Sequence, residues 1–171
     1  LGHWLPAALI GMGCAAFLLQ AREYFVHRRR RVLDAGMRLA AAALVLLAGA
    51  MVLALPVLAG ASLRLGVAYV MTALLAITLF VAAHYYRIVP FLVWYHRFGP
   101  LAGRRPVPLV SELFSQRAAG AAAALLAAGA VVLVGSVALG WPAVAAGGAL
   151  LFTCGALVVC TQMLLLWRFR P

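Results

Sequence analysis

Acid is nearly missing from this sequence: Glu23, Asp34 and Glu112 are its only carboxylates, and there is no lysine. All three lie in or beside loops, so no proton wire through a bilayer can be drawn from them. No nucleophile motif, phosphate-cradling glycine loop, paired carboxylate or closely spaced histidine pair occurs either, which removes a self-contained hydrolase or kinase; the chain is not expected to be catalytic on its own. Cysteine is sparse as well. Cys14, Cys154 and Cys160 fall in apolar stretches, and the last two are six apart and do not share a helix face. Neither a disulfide nor a thiolate metal site is expected.

What the sequence has instead is hydrocarbon. Hydrophobic residues make up 67% of its 171 residues and charged residues 10%, a balance that no soluble core needs. A helix crossing a bilayer requires about 20 nearly uncharged residues. The charge-free intervals are Gly2 to Ala21, Leu39 to Leu63, Leu65 to Tyr86 and Ala118 to Trp167. The last is too long for one crossing, and Gly140, Trp141 and Pro142 interrupt it with a helix stop, an interfacial aromatic and a restart. The prediction is an all-α, integral membrane bundle of about five transmembrane helices, near 4–26, 36–58, 64–88, 117–139 and 142–167, forming one domain over 1–171. Continuous runs of Ala and Leu do not fit the short alternating strands of a β-barrel.

The basic residues give the bundle a direction. Arg22, Arg28, Arg29, Arg30, Arg31 and Arg38 surround the first connection; Arg87, Arg97, Arg104, Arg105 and Arg117 surround the third; Arg168 and Arg170 follow the fifth helix. Arg64 is the one exception. Short basic loops stay in the cytoplasm, so the N-terminus is expected outside and the C-terminus in the cytoplasm. The net charge of +11 then reflects attraction to anionic lipid, about 1 kcal/mol per residue near the surface, and no nucleic-acid partner is expected. Because the arginine cluster follows the first apolar stretch, that stretch is read as a retained helix and not a secretory signal. The chain begins on Leu1, as expected of a fragment or a processed form. Arginine without lysine, beside abundant alanine and glycine, points to a GC-rich bacterial source, and with it a multi-pass protein of the bacterial inner membrane.

Polar chemistry gathers at one end of the third helix, at His84, Tyr85, Tyr86 and Arg87. Pro90 follows, and the aromatic and basic segment 90–98, including Trp94 and His96, reads as a kinked continuation lying partly along the membrane surface. The loop 99–108 is turn-rich, and Ser111 with Glu112 suggests a short helical run into helix four. Intramembrane histidine is the usual axial ligand of b-type haem, which makes His84 and His96 the candidate cofactor ligands. Twelve residues separate them, about 18 Å on a continuous helix, so they share a metal only if Pro90 folds the chain back. The alternative for His84 is a hydrogen-bonded interface residue. His3, at the far end of helix one, cannot share a haem with His84, and His27 reads as a solvated or lipid-facing member of the arginine run. Which metal or cofactor binds, if any, stays open.

Helices four and five carry small residues at four-residue spacing: Gly120, Ala124 and Ala128 on one, Ala143 and Gly147 on the other. Such rows let backbones approach in lipid. They are read as a tight helix pair or as a flat surface for a partner subunit or planar cofactor.

The run His84 to Phe98 (HYYRIVPFLVWYHRF), with Gly103 to Pro108 (GRRPVP) and Ser111 to Phe114 (SELF) after it and Arg28 to Asp34 before it, resembles a segment of bacterial membrane proteins distantly similar to haem-copper oxidase subunit I. The resemblance spans about residues 25 to 117, and its distinctive core is Pro90 to Trp94. That group carries several ligating histidines on different helices, including a closely spaced pair that this chain lacks. The resemblance therefore implies a place among other membrane subunits of a redox complex, as a haem-associated subunit or a ligand-free scaffold, without oxygen reduction by this chain. A small-solute or ion transporter and a purely structural anchor are the alternatives; the absence of internal repeats, mid-membrane charge and broken helices disfavours the transporter.

Overall fold

The computed structural model describes residues 4–28 and 33–168, and five long helices dominate it: α1 (Trp4–Val26), α2 (Ala35–Leu58), α3 (Leu63–Phe98), α4 (Gln116–Leu139) and α5 (Pro142–Leu165). Each is long and apolar enough to cross a membrane, as the charge-free intervals predict. Short 3-10 turns cover Gly99–Leu101, Val110–Glu112 and Leu166–Arg168. His3, Arg29, Arg30, Arg31 and Arg170 lie outside the described residues.

Local chemistry explains the helix ends. Asp34 caps α2, its side chain accepting from the Met37 N–H at 2.7 Å, and Ser115 caps α4 by accepting from Ala118 N–H at 3.3 Å. The run into α4 is a single 3-10 turn in which the Glu112 carboxylate accepts from the Leu109 N–H at 2.9 Å. Gly140 ends α4 at φ +75°, a left-handed conformation that glycine adopts without a Cβ penalty, and Pro142 starts α5. The Arg64 guanidinium lies against Gly140, so close that a Cβ added there would meet Nη1 at 2.7 Å. The one arginine on this side of the bundle thus sits beside the carbonyl end of α4, where a cation is favoured.

The third helix extends beyond the expected bound near 88. It runs unbroken for 36 residues, about 54 Å, well beyond a hydrocarbon core of about 30 Å. Pro90 costs α3 one backbone hydrogen bond, to the Tyr86 carbonyl. Tertiary contacts hold the extension in place. Pro90 is fully buried, and Phe98 packs in a small second core with Leu113 and Leu166. The Trp94 indole N–H donates to the Pro108 carbonyl at 2.7 Å, and Arg97 donates to the Trp167 carbonyl at 3.1 Å, with its guanidinium 5.9 Å from the Trp167 ring centre. Segment 90–98 thus carries contacts that hold the 99–115 loop and the end of α5.

Two tight hairpins, α2 with α3 and α4 with α5, meet through α3 and α4. The main core lies between them, with Leu39 and Leu79 facing Ala119, Ala122 and Leu126. α4 and α5 do form a close pair, but not along the rows expected. A Cβ added to Gly129 would lie 2.5 Å from the Phe152 nitrogen, and one on Gly148 would lie 2.8 Å from the Leu133 nitrogen. These backbones touch where glycine has no side chain. Ala124, Ala128, Ala143 and Gly147 are exposed on other faces, and Gly120 lies beside Arg38 of α2. Gly129 is one residue, about 100° of helix rotation, from Ala128. A helix apolar all round presents several such rows, and spacing alone does not select among them.

Gly129→Ala is expected to lower stability in detergent by about 1–3 kcal/mol, since the new methyl meets backbone that cannot move aside. Gly147→Ala, with nothing within 4 Å of the new Cβ, should leave the unfolding transition in place. Thermal unfolding followed by circular dichroism separates the two; equal effects would contradict this packing.

Candidate functional site

The polar residues of α3 divide between two environments one residue apart. Tyr86 faces inward and is buried at 4% exposure. Its hydroxyl donates to Gln162 Oε1 of α5 at 2.9 Å, and Gln162 Nε2 donates to the Ser115 carbonyl at 3.1 Å. The Tyr86 ring packs 5.5 Å from that of Phe114. One chain of hydrogen bonds therefore joins α3, α5 and the start of α4, and every buried side-chain polar atom among the described residues has a partner. In a medium without water, such satisfied polar groups set the register of three helices. Tyr86 is an internal lock and not a residue presented to a partner.

His84 and Arg87 face the other way, into a cleft between α1 and the α2–α3 hairpin. Gly36, at the start of α2, lets that helix approach α3 so closely that an added Cβ would lie 3.0 Å from the Ala83 carbonyl oxygen. α1 packs far less: none of its residues is buried, and the space beneath it, about 360 Å³, is lined by Phe17, Gln20, Tyr24, Met37, His84 and Arg87 among others. The His84 ring donates Nδ1–H to the Phe80 carbonyl at 2.8 Å and lies 4.6 Å from the Phe80 ring. That bond fixes the tautomer and leaves Nε2 as the nitrogen able to accept or to ligate. Arg87 approaches Asp34 at 3.8 Å.

The expected residues thus fall into separate groups. His84 and Arg87 share the cleft; Tyr86 and Pro90 are buried; Trp94 anchors the loop at Pro108. His96 is exposed on the far stretch of α3 beside Tyr95, and because the helix continues through Pro90 it does not meet His84. His27 pairs with Glu23, its own neighbour one turn back, at 3.1 Å. Gln20, Met37 and Gln162 belong to these sites although their positions drew no attention in the sequence. A lone glutamine within an apolar helix is the signal that marks both Gln20 and Gln162.

Among the described residues His84 is the one histidine lining the cleft, and it lies apart from His96 on the same continuous helix, so these two do not meet at one b-type haem.

Tyr86→Phe leaves the buried Gln162 Oε1 without its donor, an expected loss of about 1–3 kcal/mol in unfolding free energy. Tyr85→Phe, at an exposed position, should change stability by less than about 0.5 kcal/mol; the same detergent unfolding measurement reads both.

No protein-family model, no curated protein and no solved structure matches this chain.

Proposed function

We propose that this chain is a non-catalytic, multi-pass subunit or scaffold of an electron-transport assembly in a bacterial inner membrane. The observation that supports this reading is α1, a 23-residue apolar helix with no buried residue, held off the rest of the bundle by a cleft that ends on His84. A helix with no fully buried residue leaves most of its surface for lipid or for another protein. The sequence run from His84 to Phe98 supplies the class of assembly, through its resemblance to segments associated with haem-copper oxidases. The long extension of α3 and the folded 99–115 loop give the assembly a rigid face at the arginine-rich end.

The distribution of arginines supports a cytoplasmic location for that face. Arg22, Arg28, Arg38, Arg87, Arg97, Arg104, Arg105, Arg117 and Arg168 lie where α1, α3 and α5 end and α2 and α4 begin, while Arg64 lies at the opposite end beside Gly140. In a cysteine-free background, Ala61→Cys between α2 and α3 is expected to react with a membrane-impermeant thiol reagent in intact cells, and Ala102→Cys only after permeabilisation. The reverse pattern would invert the topology.

The assembly itself is tested by gentle solubilisation and purification of the chain from its native membrane. Stoichiometric co-purification of redox proteins is expected. Isolation as a stable monomer free of any redox protein would reject the reading.

A further inference from the structure

We propose that the cleft between α1 and the α2–α3 hairpin binds a membrane-soluble quinol, an uncharged aromatic head with hydroxyl groups on a long hydrocarbon tail. This deepens the electron-transport reading by naming the ligand class, and rests on it only for the choice of quinol among hydroxylated aromatic lipids.

Shape is the first argument. The 360 Å³ space beside His84 adjoins a second of about 160 Å³, and both are bounded by Phe17, Leu44 and Phe80. The second is lined only by carbon, from Ala43 and Leu47 of α2 and Ala76, Ile77 and Val81 of α3. From Ala76 to Arg87 the cleft follows α3 for about 16 Å. It is wholly apolar toward the membrane interior and polar at the arginine-rich end, which matches a tail followed by a head. Small residues, Gly36, Ala40 and Ala83, form its floor beside His84. Because α1 is so lightly packed, a ligand can enter sideways from the bilayer.

The chemistry of the head is the second argument. With Nδ1–H committed to the Phe80 carbonyl at 2.8 Å, Nε2 is the ring nitrogen left to meet a hydroxyl. Gln20 adds an amide from α1, on the other side of the cleft. Arg87, the one charged residue lining the space among the described residues, stands 3.8 Å from Asp34, so its charge is partly offset by a carboxylate. Phe17, Tyr24 and Phe80 border the space, and Phe17 and Phe80 already meet edge to face at 6.5 Å, the kind of wall against which an aromatic ring packs.

The full chain in phosphatidylcholine nanodiscs, titrated calorimetrically with a benzoquinol carrying a ten-carbon tail, should show saturable binding of one molecule per chain above the partitioning seen in empty discs. His84→Phe keeps a ring but removes the acceptor and is expected to weaken binding about tenfold. His96→Phe, on the same helix but outside the cleft, should leave it unchanged. The unfolding temperature of each variant shows whether the fold is kept, and His84 is exposed enough for its replacement to be tolerated. Absence of saturable binding, or equal affinities for the two variants, would overturn the inference. So would displacement of the quinol by phosphatidylglycerol, or a Soret band in the purified protein that His84→Ala removes, which would give the cleft to a phospholipid or a haem. Loss of quinol binding while redox proteins still co-purify rejects this inference alone, and quinol binding by a chain with no redox partner rejects the proposed function alone.

Discussion

In hydrocarbon, helices gain nothing from hiding apolar surface, so they adhere only where their atoms come into close contact. This bundle depends on that constraint. α4 and α5 meet at Gly129 and Gly148, and α2 meets α3 at Gly36, each so closely that a methyl group would press on backbone. α1 has no such contact and correspondingly buries none of its residues. Bundle and cleft share one cause: two hairpins pack by backbone approach, and the helix excluded from that approach stands away and leaves a space.

Against this weakly attractive background, a few polar bonds have large organising effects. The Tyr86, Gln162 and Ser115 chain aligns three helices at one level of the bundle. Farther along, Trp94 and Arg97 tie α3 to the Pro108 carbonyl and to Trp167. These bonds anchor α3 beyond Pro90 and tie down the loop of prolines and glycines that follows it. They also set the facing of neighbouring residues. With Tyr86 turned into the core, helix geometry directs His84 and Arg87 toward α1.

Much of this was legible in the sequence. Charge-free runs located all five helices, and Asp34, Gly140 and Pro142 marked where chains start and stop. The polar cluster at His84 to Arg87 was visible too, but not its division, because a cluster in sequence spreads around a helix and only the neighbours decide which members are buried. Segment 90–98 reads in the sequence as a continuation of helix three, and in the structure α3 does run through it. Proline weakens a helix locally, yet Phe98, Trp94 and Arg97 find partners more than ten residues away, and those long-range contacts outweigh one missing hydrogen bond. The alanine rows at Ala124 and Ala143 lie outside the α4–α5 contact, because alanine is small everywhere on these helices and the backbones meet where glycine is smaller still.

By itself the sequence determined how many helices there are, their limits, the medium they require and the end at which arginine collects. Those properties follow from hydropathy and charge, which sum along the chain without reference to neighbours. Tertiary structure alone decided which small residues touch, that α3 continues through Pro90, that Tyr86 locks to Gln162, and that His84 lines a cleft with Gln20 and Met37 from other helices. These depend on helix rotation and on pairings between distant segments, and a pattern apolar on every face leaves both open until the helices meet.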